Sequence, residues 1–210
     1  MHLDITGIIL TLVSLIICID IHEFAHAYSA LCCGDDTAQK AGRVSLNPAD
    51  HLDRLGTVMM IISTLTGFGF GWGKPVPVNS RNFRDPRAGT FWVSVWGPLS
   101  NLLTALLTGT ILRFCGRYLN AGCKDFLVIM TLISLVLAFF NLIPVAPLDG
   151  SKIVIALLPY DKAVRYNNFC MRYGTLILLG VVLFFPGIIS SILTPPMLFC
   201  FNLFTGGMTF

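Results

Sequence analysis

The sequence predicts an all-α polytopic membrane protein with about four transmembrane helices, five or six being possible, and a re-entrant, partly extended glycine-rich element around residues 55–80. Composition points there first: 55% of the 210 residues are hydrophobic and 12% charged, against roughly 25% charged in an ordinary soluble domain. The second observation is that the apolar residues fall into runs of about 20, the length a helix needs to cross some 30 Å of hydrocarbon. Short polar loops separate these runs, so residues 1–210 read as a single integral-membrane domain, and no appended domain is expected.

The first span runs from about residue 5 to 31. Its opening, Met1-His2-Leu3-Asp4, has no basic residue and no small-residue cleavage site, so the segment is expected to be retained rather than removed as a signal peptide. Leu55 to Trp72 is ambiguous, because its second half alternates glycine with aromatics and makes a poor helix interior. It reads as partly inserted and turning back, which irregular backbone tolerates only when packed on protein or lining a wet cavity. Further spans are predicted at about 90–114, 126–145 and 173–193. The stretch after Pro195-Pro196 is short and rich in glycine and phenylalanine, so an interfacial segment is favoured there, with a fifth or sixth span left open.

The formal charge of +3 is small and the basic residues sit mostly in loops, so no nucleic-acid partner is expected. Seven cysteines, an odd number without C-x-x-C spacing, read as small buried hydrophobes rather than a disulfide or metal framework. Loop charge sets an expected orientation. Lys40, Arg43, Arg54, Lys74, Arg81, Arg84 and Arg87 share a side with Lys152, Lys162, Arg165 and Arg172, against Arg113, Arg117 and Lys124 opposite. The basic side is expected to be cytoplasmic and the N-terminus outside, in the cell membrane.

The first span then places Asp20, His22, Glu23 and His26 in succession, although each ionisable group in hydrocarbon costs kilocalories, so such a cluster reads as functional. His22 and His26 are four apart, one turn along one helical face, and so present two imidazoles to a single ion. Glu23 flanks that face, where it can act on water without being a ligand. A catalytic zinc takes three protein ligands and keeps a fourth position open. The third candidate is Asp149, in Asn141-Leu142-Ile143-Pro144-Val145-Ala146-Pro147-Leu148-Asp149-Gly150, where Pro144 and Pro147 break the third span. At about 1.5 Å per residue from Ile5, His22 lies roughly 25 Å in, near the cytoplasmic edge to which the broken third span also leads. Asp20 points away from His22 on the helical wheel and is not counted as a ligand. His51, in a polar loop, reads as structural or surface.

Asn101, in Gly97-Pro98-Leu99-Ser100-Asn101, serves either helix packing and interhelical bonding or the chemistry. With Asn141 it is a candidate donor to a developing oxyanion or to the substrate strand. Lys74, Pro75 and Val76 are candidates to hold an extended substrate by β-addition.

These motifs, H-E-x-x-H at His22 to His26, G-P-x-x-N at Gly97 to Asn101 and N-x-x-P-x-x-P-L-D-G at Asn141 to Gly150, resemble the site-2 protease family of intramembrane zinc metalloproteases. Ser45-Leu46-Asn47-Pro48 and Gly73-Lys74-Pro75-Val76-Pro77-Val78-Asn79 look familiar too, so the resemblance covers about residues 5–160. It implies one zinc ion on His22, His26 and Asp149, Glu23 as general base, Asn101 and Asn141 as helpers, and a transmembrane protein as substrate in regulated proteolysis. Where relatives have Asp-Pro after His51, this chain has Asp53-Arg54, and no role is carried over. The short loop from Arg113 to Lys124 leaves no space for the PDZ domain of some branches, so the chain resembles a minimal form. The alternative from another class is a membrane metal-ion transporter or sensor, which would distribute ligands along a pathway and commonly shows repeats absent here. Oligomeric state is not constrained by the sequence.

Overall fold

The computed structural model describes residues 5–66 and 71–207. Helix α1 (Ile5–Cys32) is the first span. Two one-turn helices follow, α2 (Thr37–Lys40) and α3 (Pro48–His51), the latter begun by an Asn47 side chain that accepts from Ala49 N. α4 (Arg54–Thr66) is apolar but has 13 residues, about 20 Å of helix and too short to cross. Residues 67–70 of the glycine–aromatic run lie outside the described residues. Gly73 nonetheless returns to pair with Leu52 in an antiparallel bridge, so the chain leaves and re-enters at one place, as a re-entrant element must.

α5 (Pro86–Cys115) starts at Asp85, whose carboxylate accepts from Arg87 N and Ala88 N. α6 (Ala121–Asn141) stops ahead of Pro144, and a turn leads into α7 (Asp149–Leu157). α8 (Tyr160–Phe169) continues through a π-turn into α9 (Thr175–Phe184), and α10 (Pro186–Thr205) follows.

Among the described residues five helical stretches are long and apolar enough to cross a membrane: Ile5–Cys32, Pro86–Tyr118, Ala121–Asn141, Tyr160–Phe184 and Pro186–Thr205. The expected fourth span at 173–193 is therefore divided between two helices. Phe185 adopts φ −134° and ψ 52°, outside the helical region, and Pro186 restarts the helix at its first turn, where a missing N–H costs nothing. The stretch after Pro195-Pro196, expected to be interfacial, continues α10 instead. Both prolines sit inside that helix, and Phe201 buries its ring against Ala105 of α5 and Leu135 of α6.

α5 is the central element, packed on α1, α6, α7 and α10. Without a hydrophobic drive between helices in lipid, small and hydroxyl residues carry such contacts. Thr108 and Thr131 share a 2.8 Å hydrogen bond across α5 and α6, and Cys18 and Ser134 approach to 3.1 Å across α1 and α6. Large apolar side chains such as Ile9, Leu103, Leu107 and Phe199 face outward, the arrangement lipid requires.

Five crossings put the two termini on opposite faces, whereas four would put them on the same one. Reporters fused before Met1 and after Phe210 are expected to be protected from a membrane-impermeant label in opposite vesicle orientations; protection together would remove α10 or α8–α9 from the set of spans.

Candidate metal centre

His22 and His26 project from the same face of α1, and Asp149 opens α7. The helices bring the three together: His22 Nε2 and His26 Nε2 lie 3.0 Å apart, and Asp149 Oδ2 lies 3.2 and 3.0 Å from them. All three side chains are buried, and among the described residues this trio forms the His/Cys/Asp/Glu cluster able to hold an ion.

The opposite ring nitrogens decide what the Nε2 atoms offer. His26 Nδ1 lies 2.7 Å from the Val93 carbonyl, which can only accept, so Nδ1 carries the proton and Nε2 presents a lone pair. The Asn101 amide lies 3.2 Å from His22 Nδ1. As oriented it leaves Asn101 Oδ1 buried without a partner. With the amide's oxygen and nitrogen exchanged, Oδ1 accepts from Nδ1–H and the unpartnered atom becomes Nδ2; that orientation is the one that leaves His22 Nε2 free for a metal. Each imidazole then turns an unprotonated Nε2 towards its neighbour and towards a carboxylate, a repulsive set unless a cation sits among them. Two neutral imidazoles and one carboxylate, each steered from behind, suit zinc.

Val93, Gly97 and Asn101 are spaced four apart on α5, so one stripe of that helix serves both imidazoles. At Gly97 an added Cβ would collide with the His26 ring and touch His22; only glycine lets the helices approach this closely. On the other side, Asp149 Oδ1 accepts from Lys152 Nζ at 3.2 Å. Arg87 Nη2 donates to the Leu157 carbonyl at 2.9 Å and so ties the far end of α7 to α5.

Glu23 stands on the wall of the same cleft, a space of about 930 Å³ that also borders Pro75, Val76, Val78, Asn141 and Lys152. Its Oε2 accepts from Val76 N–H at 3.0 Å. The segment 73–79 is extended, held upstream by Lys74 N–H donating to the His51 carbonyl at 2.7 Å. Downstream, Asn79 N–H donates to Asp35 Oδ2 at 2.7 Å.

Asn141 lines the cleft, with its Nδ2 turned back to the Leu137 carbonyl at 2.9 Å. Asn101 is fully buried behind His22 rather than facing the cleft, so its contact is with a ligand's ring and not with the space a substrate would enter. His51 is fully buried, which removes the surface alternative; its Nε2 donates to the Ser45 carbonyl at 2.8 Å and lies 3.7 Å from Asp20. Sequence reasoning passed over Asp35, the Val93 carbonyl and Gly97's contact with the imidazoles. Asp35-Asp36-Thr37 carried a turn signal, whereas the other two needed the register of α1 on α5.

Residues 55–181 match a family model described as Peptidase family M50. Over 190 residues the chain is 38% identical to "Putative zinc metalloprotease YwhC" of Bacillus subtilis (strain 168), which takes in 87% of this chain and 83% of that protein. It is 32% identical over 82 residues to "Putative zinc metalloprotease CPE1693" of Clostridium perfringens (strain 13 / Type A), covering 34% of this chain and 24% of that one. No solved structure matches.

Gly97→Ala is expected to weaken zinc binding by about 10- to 100-fold, the usual cost of disturbing groups that orient metal ligands, measured by metal content after dialysis against graded chelator. Unchanged affinity would show that the helices part without loss. A second expectation concerns pH. Burial pushes the Asp35 carboxyl up, but hydrogen bonds from Thr37, Asn79 N–H and Asn82 outweigh it and hold its pKa below the ordinary value. A depressed carboxyl stabilises the fold above its unfolded pKa of about 4, and that contribution is lost as pH falls through the lowered value. Hydrogen exchange at Asn79 is expected to quicken at the acid end of the range in the wild type. In Asp35→Asn it should already be fast at neutral pH and nearly independent of acid.

Proposed function

The chain belongs to peptidase family M50, the site-2 protease family, and is a zinc metalloprotease; from that premise we propose that it hydrolyses peptide bonds in or near the transmembrane segment of membrane-protein substrates, in regulated proteolysis. The observation that carries the proposal is the meeting of His22, His26 and Asp149 within about 3 Å of one another, with Glu23 on the wall of the same cleft.

His22, His26 and Asp149 would hold one zinc ion, which when bound supplies Lewis acidity, acidifying water and polarising a carbonyl. Val93 and Asn101 orient the two imidazoles. Glu23 keeps Oε2 on Val76 N–H and leaves Oε1 to take the proton of the attacking water and pass it to the leaving amine. Asn141, on the rim, is placed to donate to the developing oxyanion or to the substrate chain once its amide releases Leu137.

A helical peptide bond is shielded, so the substrate must unwind before it is cut. The segment Lys74-Pro75-Val76 with Pro77 and Val78 offers an edge for it. Pro75 and Pro77 have no N–H, and that of Val76 is taken by Glu23. The Val76 carbonyl and the Val78 N–H carry no hydrogen bond among the described residues, and both are available to an extended chain by β-addition. The basic residues between α1 and α5, together with Lys152 of α7, support a cytoplasmic placement of this end of the bundle, with the N-terminus outside.

Purified protein in liposomes with a labelled single-pass membrane substrate tests the proposal. Glu23→Gln is expected to keep its zinc and lose cleavage by at least about 100-fold, the lower range for a general base. Cleavage of soluble peptides only, or full activity in Glu23→Gln, would sink it.

A further inference from the structure

We propose that Arg43 is the positioning residue of the general base, fixing Glu23 through the single peptide unit that joins Pro75 to Val76. The inference rests on Glu23 being that base.

Arg43 follows Gly42 in the loop after α2, and its side chain is 6% exposed. Burying a guanidinium without a partner costs several kilocalories, yet among the described residues no carboxylate lies within 4 Å of it. Its partners are acceptors on the extended segment. Nη2 donates to the Lys74 carbonyl at 2.6 Å and Nη1 to the Pro75 carbonyl at a long 3.5 Å. Nη2 also faces His51 Nδ1 at 3.5 Å. Because His51 Nε2 donates to the Ser45 carbonyl, Nδ1 is the unprotonated nitrogen and accepts. Asp20, on the face of α1 away from His22, stands 3.7 Å from the Nε2 side of that ring. Arg43, His51 and Asp20 thus form a buried polar cluster with no part in metal binding or proton transfer, aimed at two successive carbonyls.

The second of those carbonyls belongs to the peptide whose N–H grips Glu23. In a trans peptide the C=O and N–H point in opposite directions. The unit therefore lies between a cation and an anion, guanidinium at its oxygen and carboxylate at its hydrogen, with its dipole aligned between them. Such chains of hydrogen bonds polarise one another, and each end here carries a full charge. Pro75 fixes only its own φ and Pro77 biases Val76 towards extended conformations, so the torsions that turn this unit, ψ of Pro75 and φ of Val76, are left to its hydrogen bonds, and Arg43 supplies the one at its oxygen. Glu23 is a side chain with three rotatable bonds beside two imidazoles and a lysine, and Val76 N–H is the hydrogen bond that selects one of its rotamers. Without the guanidinium the peptide can rotate, and the base loses its fixed oxygen without any change in the ligands.

The test uses the full chain in liposomes with the labelled single-pass substrate, reading kcat, KM, zinc content and hydrogen exchange at Val76. Arg43→Gln is expected to lower kcat by about 10- to 100-fold, as a misplacement of about 1 Å does, with KM within about twofold and zinc unchanged. Arg43→Lys, which keeps the charge but lacks the fork that reaches both carbonyls, should return part of the rate. Exchange at Val76 should quicken in Arg43→Gln with no substrate present. Val76→Pro, which deletes the N–H and keeps an extended backbone, should lower kcat similarly. The double variant should be no slower than the worse single, because both cut one chain of contacts.

Wild-type kcat in Arg43→Gln, a loss confined to KM, a loss of zinc that Lys does not repair, or multiplying effects in the double variant would each overturn the inference. If Arg43→Gln does not fold, Val76→Pro decides, and wild-type kcat there overturns it. Full activity in Glu23→Gln would instead remove the assignment of the base; a dead Glu23→Gln beside fully active Arg43→Gln and Val76→Pro removes the positioning role alone.

Discussion

The contact on which the structure depends is the approach of α5 to the two imidazoles of α1 across Gly97. α1 and α5 run antiparallel, so two residues four apart on α1 meet a stripe of three on α5: His22 against Asn101, His26 against Val93, and Gly97 between them beneath both rings. A side chain at 97 would hold the helices apart, and the two ring nitrogens that offer lone pairs would lose the groups that orient them. The same closeness explains why α5 is central. It also receives α7 through Arg87, and α7 delivers Asp149 from its first turn.

α1 spends three of its faces on three different tasks within seven residues. His22 and His26 face α5 and α7, Glu23 faces the extended segment, and Asp20 faces His51. Each of these groups is expensive in hydrocarbon. The histidines and the glutamate are answered from different parts of the chain, helix backbone and amide for the histidines and the Val76 N–H for the glutamate, while Asp20 lies 3.7 Å from the buried His51 ring without a hydrogen bond to it. The cost is met only when the loop 43–52, the segment 73–79 and α7 are all in place, so the polar residues of one helix enforce the arrangement of the rest.

Much of this was legible in the sequence because it depends on local period. Helical spacing alone put His22 and His26 on one face, and the prolines before Asp149 alone announced a displayed carboxylate. What depended on how distant segments meet was not legible. Asn101 read as a packing or catalytic amide because its neighbour is set by the register of α1 on α5. His51 read as a loop residue because its burial waits on the return of residues 73–79. The end of the chain was legible only in part. The sequence leaves a fifth span open there because the stretch after Pro195-Pro196 is short and rich in glycine and phenylalanine; packing on α5 and α6 carries α10 through both prolines, and the break falls at Phe185, ahead of Pro186.

Backbone accounting ties the re-entrant element to the chemistry. At membrane depth an unpaired N–H or C=O is tolerated only beside protein or water. In the segment 73–79 two prolines remove two donors, and Lys74, Val76 and Asn79 give theirs to His51, Glu23 and Asp35. The carbonyls of Lys74 and Pro75 go to Arg43. Among the groups left over, those on Val76 and Val78 border the cleft, where water has to meet them when no peptide does. The water such an edge requires is also the water a hydrolase consumes, and on the proposed reading an unwound peptide displaces part of it while meeting the same backbone groups. On that same reading one local need, satisfying an irregular backbone segment at membrane depth, yields both the hydration and the template that peptide hydrolysis in a membrane demands.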